Sequence, residues 1–250
     1  MYSSSELAFG ALLLSGCALA HGTVSGIEID GKFIQGYSPN QQYQNPPPQV
    51  VGWSIPQDQS TGFVEDINSP DVICHIGATP APITAPVTAG SNVTLFWTNN
   101  WPESHHGPML DYLAACPNND CANVDKAQLK FFKIDAVGLI DGSKPPGTWG
   151  SDQMISNNFS WTTTIPASIA PGKYVLRHET IALHEAQTEG KAQSYPQCVS
   201  LDVQGGGSAA PEGVVGTALY KKDDPGLVFN IYTEHAPSDY TPPGPPVFTG

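Results

Sequence analysis

Cys198-Val199-Ser200-Leu201-Asp202-Val203-Gln204 alternates apolar and polar side chains with a period of two. Successive side chains of a strand point to opposite faces, so this stretch predicts a β-strand with Val199, Leu201 and Val203 turned inward. Outward from it, runs rich in β-branched and aromatic residues recur at 23–29, 50–55, 72–76, 93–98, 129–134, 159–165, 174–181 and 227–233, bounded by Gly, Pro, Asn and Asp. Short strands separated by turn signals point to a sandwich or a barrel. Helical periodicity is weak, with one short candidate at 125–128. Long irregular stretches at 36–49, 182–197 and 204–224 separate the strands, and loops of that length carry function or disorder.

The first twenty residues follow another logic. An apolar run over 7–14 leads through Ser15, Gly16 and Cys17 to Ala18-Leu19-Ala20, the apolar core and small-residue cleavage site of a secretory signal. A spanning helix needs about 20 apolar residues, and Gly10, Ser15 and Gly16 interrupt this run. Cleavage after Ala20 makes His21 the first residue of a secreted protein. The expected organisation is a signal peptide over 1–20 and a single β-sandwich domain over 21–250. The Pro-rich stretch 242–246 is followed by only four residues, which leaves no room for an appended carbohydrate-binding module.

Removing Cys17 leaves Cys74, Cys116, Cys121 and Cys198, an even number that outside the cell suggests two disulfides. Three pairings are open. The turn-forming Pro117-Asn118-Asn119-Asp120 favours Cys116 with Cys121, which leaves Cys74 with Cys198. Asn92-Val93-Thr94 and Asn158-Phe159-Ser160 are acceptor sequons, so Asn92 and Asn158 are glycosylation candidates in an exported chain. The net charge of −13 argues against nucleic acid and anionic membranes as partners and leaves a neutral polymer compatible.

A histidine at the N-terminus offers a metal two nitrogens, its α-amine and its imidazole. A second histidine completes a T of three, which suits tetragonal copper and leaves positions open for oxygen. His105 and His106 lie in Trp101-Pro102-Glu103-Ser104-His105-His106-Gly107-Pro108, a loop directly after a predicted strand. Of the remaining histidines, His75 and His178 read as interior groups and His235 as exposed.

Taken together, His21-Gly22, the S-H-H-G-P core within 101–112, Arg177-His178-Glu179 with Leu183-His184, and Gln193-Ser194-Tyr195-Pro196-Gln197-Cys198 resemble the fungal lytic polysaccharide monooxygenases of auxiliary activity family nine, a cellulose-active group. The likeness extends to the closing Gly244-Pro245-Pro246. It implies an all-β, immunoglobulin/fibronectin-like β-sandwich with long loops and short helical turns. It also implies one copper ion, held by the amine and ring of His21 and by His106, the residue directly before Gly107, with Tyr195 on the axis.

By the same likeness, His184 and Gln193 hydrogen-bond the reacting oxygen and help move protons, while Tyr232 and, more approximately, Tyr43 stack on sugar rings. The implied reaction is oxidation at carbon 1, carbon 4 or both in cellulose or a related β-glucan, using oxygen or peroxide and an external electron donor. The implied protein is a monomer. Parity agrees in part, since Gln193, Tyr195 and Gln197 fall on the same side of an extended chain as Val199. Two other classes compete. A glycosidase needs two spaced carboxylates, for which Glu179, Glu185 and Glu189 are available; a non-catalytic sandwich would bind carbohydrate or copper without turnover.

Overall fold

A computed structural model describes residues 21–58 and 62–250; the expected signal peptide lies outside the described residues. In chain order the first six strands are β1 (Val24–Ile29), β2 (Lys32–Gln35), β3 (Ala85–Thr88), β4 (Asn92–Trp97), β5 (Met109–Ala115) and β6 (Lys130–Val137). They are followed by β7 (Leu139–Asp141), β8 (Thr148–Trp149), β9 (Ser160–Thr164), β10 (Gly172–Ala182), β11 (Gln193–Gln204) and β12 (Val214–Val215). Two short α-helices, α1 (Asp71–Cys74) and α2 (Gly150–Ser156), lie in the connections. One sheet runs β2-β1-β4-β9 and the other β12-β6-β5-β10-β11-β3, with β7 and β8 paired apart. The protein is a β-sandwich.

Val199, Leu201 and Val203 do face inward. They join Ile27, Leu95 and Trp97 of the smaller sheet and Leu113 and Leu176 of the larger one in the core between the sheets. A second apolar cluster covers the opposite face of the larger sheet, where Leu110, Tyr112 and Val175 meet Val72 and Ile73 of α1, Trp149 of β8 and Tyr220. The larger sheet is therefore buried on both faces. Ser200 lies on that second face and accepts a hydrogen bond from the Trp53 indole at 3.1 Å.

This burial explains which elements escape a reading by alternation. Strand β5, Met-Leu-Asp-Tyr-Leu-Ala-Ala, is buried at every position except the last, so no polar side marks it. The run at 72–76 is a turn of helix rather than a strand. Its carbonyls are taken up by the buried Arg177 guanidinium, which donates to Val72 O at 2.7 Å and to Ile73 O at 3.0 Å. The run at 50–55 forms only isolated bridges, from Gly52 to Val199 and Ser54 to Thr79. The run at 227–233 folds as turns, with Asn230 Oδ1 accepting from Tyr232 N at 3.0 Å. The helical candidate at 125–128 is a 3-10 turn, Lys126–Gln128, capped by the Asp125 side chain.

Cys74 is bonded to Cys198 and Cys116 to Cys121, so the favoured pairing is the one formed. No helix among the described residues is long and apolar enough to cross a membrane. Register fixes what gathers at one end of the sandwich. Val24 pairs with Trp97, Thr180 with both Met109 and Tyr195, and Ala182 with Gln193. The start of β1, the loop between β4 and β5, and the loop between β10 and β11 consequently converge.

Candidate metal centre

His21 precedes β1 and is held by its backbone. Asn100 Nδ2 donates to His21 O at 2.8 Å, and Thr23 N donates to Thr98 Oγ1 at 3.1 Å. Across from it stands His105, whose loop closes on itself through His105 N to Pro102 O at 3.0 Å. The two imidazoles approach with Nε2 to Nε2 at 3.1 Å and ring centroids 5.0 Å apart.

His106 points elsewhere. Its Nδ1 lies 2.9 and 3.0 Å from the two Asp152 oxygens in α2. The expectation that His106 faces His21 is therefore corrected: His105 occupies that position, because Asp152 draws the neighbouring ring away. Gly107 is required after the pair. A Cβ there would fall 1.7 Å from Ile181 O, so only glycine lets the loop pass this close to β10.

His184 stacks on His105 with centroids 4.1 Å apart and ring planes 32° apart. Tyr195 lies with its ring centroid 5.2 Å from that of His21 and is fully buried. Its hydroxyl donates to Gln193 Oε1 at 2.8 Å. Trp101 meets the Tyr195 ring edge-on at 4.8 Å. The structure thus brings together His21, His105, His184, Gln193 and Tyr195. Tyr232 joins them at the rim, half-exposed, with its hydroxyl donating to His184 O at 3.1 Å. Tyr43 stands at the end of a 3-10 turn, 74% exposed, and makes no hydrogen bond or ring contact with these residues.

Electrostatics keep the rings neutral. Burial, then the neighbouring His184, His21 and His106, lower His105 from its ordinary value to about 3. Burial is also the first cause that lowers His21 and His184. Burial raises the Tyr195 phenol, with the Asp58 carboxylate adding to the effect, so it remains protonated. A neutral imidazole keeps the lone pair that a metal needs.

Among the described residues, no group of three or more His, Cys, Asp or Glu side chains is arranged to hold a metal. Two imidazoles alone make a weak site. The set becomes chemically complete for copper only if a further nitrogen comes from the backbone, and a free amine at His21 would supply it. The four cysteines among the described residues are consumed in disulfides, so none of them offers a competing thiolate. The residues present fit a copper ion bound by nitrogen.

Of the carboxylates a glycosidase could use, Glu179, the one set in a sheet, is out of reach. Glu179 is fully buried, pairs with Arg177 at 2.6 Å and accepts from Ser194 and Tyr220, so no substrate reaches it. Reading the sequence alone missed Asn100 and Asp152 as parts of this neighbourhood. Nothing in their local pattern marks them, since each contributes through a contact set by the fold.

The model of Auxiliary Activity family 9 (formerly GH61) matches residues 21–240. An AA9 family lytic polysaccharide monooxygenase A of Thermoascus aurantiacus is 54% identical over 233 residues, covering 92% of this chain and all of that protein. The extended catalytic domain of H. jecorina LPMO9A superposes with a TM-score of 0.85 at 48% identity, covering 92% of each chain. A cellulose-active polysaccharide monooxygenase from M. thermophila superposes with a TM-score of 0.77 at 33% identity, covering 92% of this chain and all of the other.

Proposed function

The chain belongs to Auxiliary Activity family 9 and is an oxidoreductase of the lytic polysaccharide monooxygenase kind; from that premise we propose that it is secreted, binds one copper ion and cleaves cellulose or a related β-glucan oxidatively. The observation that carries this reading is the 3.1 Å approach of His21 and His105 Nε2 atoms between two neutral rings. Export is part of the mechanism. Cleavage before His21 turns an amide nitrogen, a poor donor, into an amine with an ordinary pKa near 8.

His21, through amine and ring, and His105 would hold the ion. A bound copper ion, reduced by an external donor, would supply the chemistry that activates oxygen or peroxide to remove hydrogen from carbon 1 or carbon 4. The protein's own residues supply orientation and protons. Tyr195 would line the ion's site as a neutral phenol, kept from ionising by burial and tied to Gln193. Since Gln193 Oε1 is engaged by that phenol, its amide nitrogen is the end left to donate toward the reacting oxygen. The neutral His184 ring, stacked on His105, is the adjacent group that takes or returns a proton.

Tyr232 offers its exposed ring to a sugar, and its bond to His184 O ties that platform to the site. Tyr43, exposed at the end of its 3-10 turn, is a second stacking ring. Asn92 and Asn158, both exposed, carry N-linked glycans in the exported monomer. Incubating the copper-loaded protein that begins at His21 with cellulose and a small reductant is expected to release oligosaccharides with oxidised ends, identified by mass spectrometry. Cleavage that persists unchanged without reductant or in the presence of a chelator would overturn the proposal in favour of hydrolysis.

A further inference from the structure

His106 is the one member of the histidine doublet that the copper reading leaves without a task, yet it is among the most firmly held side chains near the site. Its Nδ1 donates to Asp152, whose Oδ2 also accepts from Trp149 N at 2.7 Å at the start of α2. The residue after it is gripped from both sides: Gly107 N donates to Ser151 Oγ at 3.0 Å, and Ser151 N donates to Gly107 O at 3.1 Å. The His106 carbonyl accepts from Leu183 N at 2.9 Å, one residue before His184. By contrast the backbone of His105 is held only within its own loop, through Pro102 O and a long 3.4 Å bond from the Trp101 indole to its carbonyl.

We propose that His106 and Asp152 form a clamp that positions His105 against His21, so that the first turn of α2 sets the geometry of the metal centre without touching the metal. Asp152 anchors the His106 ring, Ser151 anchors Gly107, and the His105 ring projects from the only residue of the three that these contacts do not hold directly. With the clamp open, the loop pivots about its Pro102 turn and the His105 ring loses its fixed distance to His21. The connection from His106 O to Leu183 N makes the same clamp a common reference for His105 and His184, which stack on one another. His106 and Asp152 are positioning residues. Their role concerns the ring arrangement itself, and its value for copper rests on the copper reading above.

The test has an arm without metal and an arm with it. In the metal-free protein starting at His21, His106→Leu is expected to shift or broaden the ring proton resonances of His105 and His21 while leaving in place those of the buried His178, which Asp111 and Trp97 hold in the core. His106→Asn, whose side-chain N–H stands close to where Nδ1 donates, is expected to restore them. With Cu(II), His106→Leu is expected to lower affinity about ten-fold or more, the usual cost of losing a partner outside the ligand set, and to change the electron paramagnetic resonance hyperfine pattern, with His106→Asn again restoring both. Asp152→Asn, which keeps the shape of the side chain and removes its charge, carries the same measurements should His106→Leu fold poorly.

Unchanged ring resonances in both His106→Leu and Asp152→Asn overturn the clamp. A wild-type protein that takes up no copper, together with shifted rings in the variants, leaves the clamp standing and overturns the copper reading.

Discussion

Three histidines and a tyrosine at the converged strand ends have ring centroids 4.1 to 5.2 Å apart in the sequence His184, His105, His21, Tyr195. Each ring comes from a different stretch of chain. Removing His105 takes away one of the two facing imidazoles, and since loss of an outlying partner already costs about 10- to 100-fold in metal affinity, His105→Ala should cost more than that, measured by calorimetric titration with Cu(II). An undiminished affinity would return the ligand role to His106. The doublet was legible in the sequence as the place where a second histidine comes from, but the choice within it was not. Adjacent residues share a loop and a composition, and what separates them is Asp152, 46 positions away. Tyr195 was more legible: it fell in a stretch read as irregular, but an extended chain there would turn it to the same side as Val199, and within β11 it is fully buried.

At the level of elements, β1, β4, β9, β10 and the second half of β11 could be read from their own residues, whereas the start of β11 fell in a stretch read as irregular and β5 was not read at all. Strand β5 lies between β6 and β10 in the larger sheet, and its carboxylate Asp111 looks out of place in a core. Asp111 is fully buried because it accepts from His178 Nδ1 at 2.7 Å and from the Trp161 indole at 2.8 Å, while His178 Nε2 accepts from the Trp97 indole at 2.9 Å. The network ties β5 and β10 to β4 and β9 across the interface between the sheets. Asp111→Ala leaves two buried N–H groups unpaired, and each costs about 1 to 3 kcal/mol. An overall loss of about 2 to 6 kcal/mol is expected in urea unfolding, and a loss within error of zero would mean that the sheets are held by apolar packing alone. The run at 72–76 misled for a related reason. Its apolar residues are buried as a strand's would be, but a guanidinium from β10 satisfies carbonyls that a sheet would otherwise pair.

For the molecule as a whole, the two disulfides act over different distances. Cys74 and Cys198 are separated by 124 positions and join α1 to β11, whereas Cys116 and Cys121 are separated by 5. In the loop-entropy treatment the long bridge contributes about 4 to 5 kcal/mol and the short one about 2. Replacing Cys74 and Cys198 with alanine should therefore lower stability about twice as much as replacing Cys116 and Cys121, as read from chemical unfolding midpoints. Equal losses would point to local packing as the source of both effects. The metal centre has the same character as the long bridge. His21 and His105 lie 84 positions apart, so an ion held by both is a reversible cross-link between the first strand and the loop before the fifth. Free copper at 100 times its dissociation constant adds about 2.7 kcal/mol to a native state that alone can bind it, or about 5 to 10 °C in the melting temperature of a domain of this size. Melting in the presence of graded copper becomes a ruler for the site, one that His105→Ala should flatten. On the copper reading, a preparation that melts low and is raised by added copper was short of its ion before any substrate was added.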